Sequence, residues 1–171
     1  VGPLRLRYHW ASEIDQRQVA LFLSGAFVIL VALASPLDEI GDRYLFSAHM
    51  TQHLLLTLVM PPLLLLGTPG WLIKPLLEWR FVNSVARFVT QPIPAYLLFN
   101  VIFTAYHVPA LYELSLQNNT FHIFVHLVLM ATAIVTWWPV LSPLQELPRL
   151  PEPGQILYLF FEAIPPTLLG A

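Results

Sequence analysis

Long apolar runs separated by short polar ones set the architecture. From about Gln18 to Ser35 the chain carries no charge, and Pro36 closes the run. A second uncharged run extends from about Tyr44 to Leu66 and stops at Gly67-Thr68-Pro69-Gly70. A third covers about Ile93 to Tyr112 and a fourth about Thr120 to Leu141. A fifth begins near Gln155 and continues through Glu162 to the end of the chain. Each approaches the roughly 20 residues that cross a hydrocarbon layer. The pattern predicts an all-α fold, a polytopic transmembrane helical bundle of about five spans.

The segments between the runs add detail. Residues 36–43 predict a compact acidic turn. Residues 71–92 alternate apolar and basic side chains at helical spacing, which predicts one amphipathic helix lying in the membrane interface. Residues 113–119 predict a short loop, with Gln117-Asn118-Asn119-Thr120 supplying a turn and an N-cap. Residues 142–154 hold Pro143, Pro148, Pro151 and Pro153 and predict an extended linker. Pro61 and Pro62 each remove a backbone donor, so the second span is expected to kink or divide there. Residues 1–17 are polar and basic, with Tyr8, His9 and Trp10 as an interfacial aromatic patch. The chain starts at Val1 without a signal-peptide pattern and ends in an apolar run, which predicts a single helical domain over 1–171 cut from a longer protein at both ends.

Composition narrows the function classes. The chain is 57% hydrophobic and 11% charged, against about 25% charged in soluble domains; the partner this demands is a lipid bilayer. A net charge of −2 offers nothing to nucleic acid. The absence of cysteine excludes disulfides, thiolate metal sites and cysteine nucleophiles. Any metal must be held by imidazole, thioether or carboxylate.

Charge also orients the spans. If they alternate, one face collects Arg5, Arg7, Arg17, Lys74, Arg80, Arg87 and Arg149, and the other only Arg43. The basic face is then cytoplasmic. On the outer side, His49 and His53 open the second span, His107 closes the third, and His122 and His126 open the fourth. At 1.5 Å per residue all five lie within roughly 15 Å of the outer boundary.

Histidines four apart share one helix face and form a ready chelating arm. Two such arms and a fifth imidazole predict a metal site of His49, His53, His107, His122 and His126, suited to copper, zinc, iron or nickel. Met50 beside His49, Met130 one turn from His126 and Met60 two turns from His53 are auxiliary thioethers that lean toward copper(I). Asp38, Glu39, Asp42 and Glu113 make the outer mouth acidic. Glu162, a carboxylate within a span, needs a partner or a proton and is counted with Met50 and Met130 among the auxiliary residues of the site. Each histidine taken alone has an ordinary role as a hydrogen-bonded packing residue. Transmembrane histidines also ligate haem, and with carboxylates they hold di-iron centres. A haem-binding or di-iron redox protein is therefore the alternative to a copper carrier.

A family pattern runs through these residues. Ser35-Pro36-Leu37-Asp38, Phe46-Ser47-Ala48-His49-Met50-Thr51-Gln52-His53, Tyr106-His107-Val108-Pro109-Ala110-Leu111-Tyr112, then His122 and His126, then Trp137-Trp138-Pro139-Val140 resemble the CtaG family of multi-span bacterial cytochrome c oxidase assembly factors. This is distinct from the single-span copper chaperone of the same name. The resemblance implies a non-enzymatic, multi-pass protein of the bacterial plasma membrane that supports copper insertion into a haem-copper oxidase, with oxidase subunits as partners. It also implies further spans beyond those seen here.

Overall fold

The computed structural model describes residues 15–144 and 146–170. Arg5, Arg7 and the Tyr8-His9-Trp10 patch lie outside them, as do the side chains of Asp42 and Arg43. All regular structure among the described residues is helical.

Helix α1 (Gln16–Ala34) is capped by Asp15, whose carboxylate accepts from the Arg17 N–H at 2.9 Å. The expected acidic turn is a second helix, α2 (Pro36–Arg43). Three start signals explain the difference. The Ser35 hydroxyl accepts from the Leu37 N–H, Pro36 occupies the first turn, and Asp38 and Glu39 face the positive end of the helix dipole.

The second span is a single element of three parts: α3 (Phe46–Leu54), a π turn (Leu55–Val59) and α4 (Met60–Gly67). The two prolines do not divide it. They occupy the first turn of α4, and the irregularity they impose falls in the preceding π turn. With no N–H on residue 61 or 62, the Thr57 carbonyl has neither an α nor a π donor. The indole Nε1 of Trp137, eighty residues on, donates to that carbonyl at 2.8 Å.

The predicted interfacial helix is two, α5 (Gly70–Leu77) and α6 (Arg80–Val89), separated at Glu78-Trp79. On α6, Phe81, Val85 and Phe88 stand exposed beside Arg80 and Arg87, the arrangement of a surface-lying amphipathic helix. It bends by 79° into α7 (Pro92–Tyr106). The apolar helix of the third run therefore ends at Tyr106. Residues Pro109–Gln117, expected as the end of a span and a loop, form α8, because Pro109 in its first turn restarts the helix after His107-Val108. Asn118 caps α9 (Asn119–Leu141) as expected, accepting from the Phe121 N–H at 3.1 Å. The linker is held at the bundle end: Leu144 and Leu147 are buried, and the Lys74 ammonium donates to Glu146 at 2.9 Å. That bond holds the exposed Glu146 carboxyl below its usual range. Helix α10 (Glu152–Gly170) completes the described chain.

Among the described residues, three helical stretches are long and apolar enough to cross a bilayer: Gln16–Ala34, Phe46–Gly67 and Asn119–Leu141. The bent pair α6–α7 makes a fourth if counted as one span. The expected count of five is thus not confirmed among the described residues. Alone, the 15 residues of α7 extend only about 22 Å, and α10 is diluted by Glu152, Glu162, Pro165 and Pro166.

Polarity is distributed as a bilayer requires. Leu23, Phe27, Leu30, Val101 and Phe160 face outward, each more than 60% exposed. His49, Gln52, His53, Asn100, His122, His126 and Glu162 are buried. Outward apolar and inward polar is the reverse of a water-soluble bundle, and inward-facing ionisable groups mark sites in membrane proteins. The apolar core, Phe99, Phe103, Tyr106, Val125, Leu129 and Ala133, joins α7 to α9 directly below the histidines. Helix α1 packs along α4, where Gly67 permits a backbone crossing: a Cβ there would lie 2.7 Å from the Phe22 Cα.

Candidate metal centre

The helices bring the five histidines together. His49 and His53 sit one turn apart on α3, both fully buried, with their Nε2 atoms 2.8 Å apart. His122 and His126 repeat the arrangement on α9, Nε2 to Nε2 2.7 Å. His107 is the C-cap of α7, and its Nδ1 lies 2.7 Å from the Phe103 carbonyl. A carbonyl only accepts, so Nδ1 carries the proton and Nε2 presents a lone pair. That Nε2 is buried and makes no hydrogen bond. An oriented imidazole with its free nitrogen turned inward is the usual state of a histidine ligand.

His53 is the centre of the group. Its ring centroid lies 4.3 Å from that of His49, 5.6 Å from His107 and 5.5 Å from His126. Phe103, Tyr106 and Tyr112 wall the group: Phe103 contacts His107, Tyr106 contacts His53, and Tyr112 meets His49 edge-on at 5.3 Å. The Tyr106 hydroxyl bonds Ser115, which ties α8 against α7 beside the site.

Ligand atoms of His49, His53 and His107 all lie within 4.8 Å of one another. Two nitrogens bound tetrahedrally at 2.0–2.1 Å sit about 3.3 Å apart. Opening the 2.8 Å pair by about half an ångström therefore admits an ion. The donor set and its spacing fit an imidazole-bound metal.

A second group of the same tightness is Asp38, His122 and His126. The sequence placed Asp38 only in an acidic mouth. The structure turns it inward, because residues 36–43 are helical and α2 lies against α3. Gly41 makes that approach feasible: a Cβ there would lie 2.9 Å from the His49 backbone nitrogen. The carboxylate is held by Gln52, whose Nε2 donates to Asp38 Oδ1 and, at 3.0 Å, to the Ala32 carbonyl. The helix-start pattern Ser35-Pro36 was the available signal for this placement. Glu39 and Glu113 are exposed and belong to neither group.

The auxiliary residues separate. Met50 is half-buried and lines, with His53, a cavity of about 870 Å³ that runs down to Glu162. Met130 is half-buried one turn from His126, and Met60 is fully buried in packing. Glu162 is not brought to the histidines. It accepts from Asn100 Nδ2 at 3.1 Å and lines the cavity with Thr136. Thr136 is ten residues along α9 from His126, about 15 Å deeper.

The chain resembles long proteins of mycobacteria. It is 26% identical over 155 residues to uncharacterised proteins of Mycobacterium bovis and Mycobacterium tuberculosis, alignments covering 81% of this chain and 23% of each relative. It is 23% identical over 159 residues to one of Mycobacterium leprae, 84% of this chain and 24% of that protein. The chain thus spans about a quarter of the length of these relatives. No solved structure matches it. The family model for the cytochrome c oxidase caa3 assembly factor matches residues 1–171, and the chain belongs to that family, Caa3_CtaG.

Proposed function

We propose that this chain is the copper-handling part of an oxidase assembly factor. In this reading it holds copper(I) as cargo at the outer side of the plasma membrane and passes it to a subunit of a haem-copper oxidase. The family supplies the assembly role. The observation that carries the copper reading is the convergence of five imidazoles from α3, α7 and α9 in one buried pocket, with the His107 Nε2 oriented and unbonded.

Imidazole donors suit copper, and five of them exceed the four that a closed structural centre uses. A carrier needs such a site, since the ion must leave. Ligands in excess of four let it exchange partners stepwise. The chain moves an ion and turns over no substrate. What supports the outer placement is that Lys74, Arg80, Arg87 and Arg149 lie on segments 70–89 and 142–151, which follow the ends of α4 and α9 away from the histidines. An ion is favoured over haem because the rings touch one another. His53 and His126 stack 5.5 Å apart, which leaves no slot for a macrocycle between the two arms.

Elemental analysis with a visible spectrum of the purified protein tests the reading. Copper without a Soret band is expected. A Soret band would install haem instead, and iron without haem would install a di-iron centre. No bound metal after copper loading, with unchanged oxidase copper in cells carrying His53→Ala and His126→Ala, would leave only a scaffold.

A further inference from the structure

We propose that the pocket is two adjacent cation stations and that Asp38 is a ligand of the second. The inference rests on the copper reading above and deepens it. The first station is His49, His53 and His107; the second is Asp38, His122 and His126. Each is a three-donor set within 4.8 Å, on different elements, and they meet where His53 stacks on His126 at 5.5 Å.

The stations differ in charge. Three neutral imidazoles leave a bound cuprous ion with its full charge in an apolar bundle. The Asp38 carboxylate neutralises one charge, which lowers the cost of holding a cation among buried residues. The carboxylate is also prepared for this role. It is half-buried, and Gln52, itself anchored on the Ala32 carbonyl, fixes one of its oxygens. Such an outer partner orients a ligating carboxylate and leaves its remaining lone pairs for the metal. Gln52 lies on α3 between His49 and His53, so the helix that carries the first station also positions the ligand of the second. An ion passes between stations by exchanging His53 for His126, with no change of oxidation state.

The test is copper(I) titration of the purified full chain under anaerobic conditions, read as copper per protein, with infrared difference spectra. Two equivalents are expected for the wild type. Asp38→Asn keeps an oxygen for Gln52 to bond and is expected to bind one. A carboxylate stretching band is expected to shift on copper loading of the wild type and to stay still in Asp38→Asn. A wild type that binds copper without a carboxylate shift would overturn the second station, as would Asp38→Asn with undiminished stoichiometry, and either would leave the copper reading standing. A wild type that binds no copper would overturn both. The infrared measurement needs no variant, so a poorly folded Asp38→Asn protein does not shield the proposal.

Discussion

The imidazoles of His53 and His126 lie nearly parallel, 21° between planes and 5.5 Å between centroids, across the α3–α9 contact. Each belongs to a separate i, i+4 pair, so this contact is where two helix-borne arms become one pocket. His53 also touches His49 and His107, whereas His107 reaches the group from a helix end and is only half-buried.

Loss of the central ring should therefore cost more than loss of the peripheral one. His53→Ala is expected to lower copper affinity by at least tenfold more than His107→Ala, a difference of about 1.4 kcal/mol. Competition with a copper(I) chelator measures it. Equal losses would mean that the ion sits away from His53.

Trp137→Phe isolates a feature created by the two prolines. The Thr57 carbonyl, deprived of backbone donors by Pro61 and Pro62, takes the Trp137 indole N–H at 2.8 Å. Phenylalanine fills much of the same space without the donor. A buried acceptor left unpaired costs about 1–3 kcal/mol. The expected result is a lower thermal midpoint and faster amide exchange at Leu58 to Met60, with copper stoichiometry unchanged.

Backbone contact at the α1–α4 crossing predicts a sharp contrast between two glycines. A Cβ at Gly67 meets the Phe22 backbone, which cannot yield without moving a helix. One at Gly25 meets chiefly the Leu64 side chain, which can rotate. Overpacking typically costs about 1–3 kcal/mol. Gly67→Ala is expected at or beyond the upper end of that range and Gly25→Ala near the lower. Folded yield in detergent and thermal unfolding report the difference.

Which features were legible in the sequence follows from the range of the forces involved. The helices α1, α3–α4 and α9 were visible because uninterrupted apolar runs encode them locally. The histidine group was visible because i, i+4 spacing fixes a face and short connections fix an end of the bundle. The sequence places Asp38 only in an acidic outer mouth, although Ser35-Pro36 announces a helix start. Its inward turn depends on Gly41 letting α2 approach α3, a tertiary contact that no local pattern records. The π turn was likewise hidden. The prolines forecast a disturbance, but its relief through Trp137 requires a partner eighty residues away. The sequence expects Glu162 to need a partner or a proton, and only the packing of α10 on α7 supplies Asn100.

That last pair gives a prediction that separates structure from metal chemistry. Asn100 Nδ2 donates to Glu162 at 3.1 Å inside the bundle. Glu162→Gln retains an oxygen to accept this bond, so little change in stability is expected. Asn100→Leu strands a buried carboxyl group and should cost about 1–3 kcal/mol. Replacing both, in an Asn100→Leu, Glu162→Leu double variant, removes the stranded group as well as its donor. Substituting both partners of a buried polar pair by apolar groups can be nearly neutral, so the double variant should recover at least half of the single loss. Thermal unfolding of these proteins together with the Glu162→Leu single variant, which closes the cycle, gives the coupling. Copper stoichiometry should stay constant across the set, because Glu162 lies beside Thr136 and about 15 Å below the histidines on α9. A fall in bound copper in Glu162→Gln with unchanged stability would make Glu162 part of the ion's path through the cavity, and not a structural partner of Asn100.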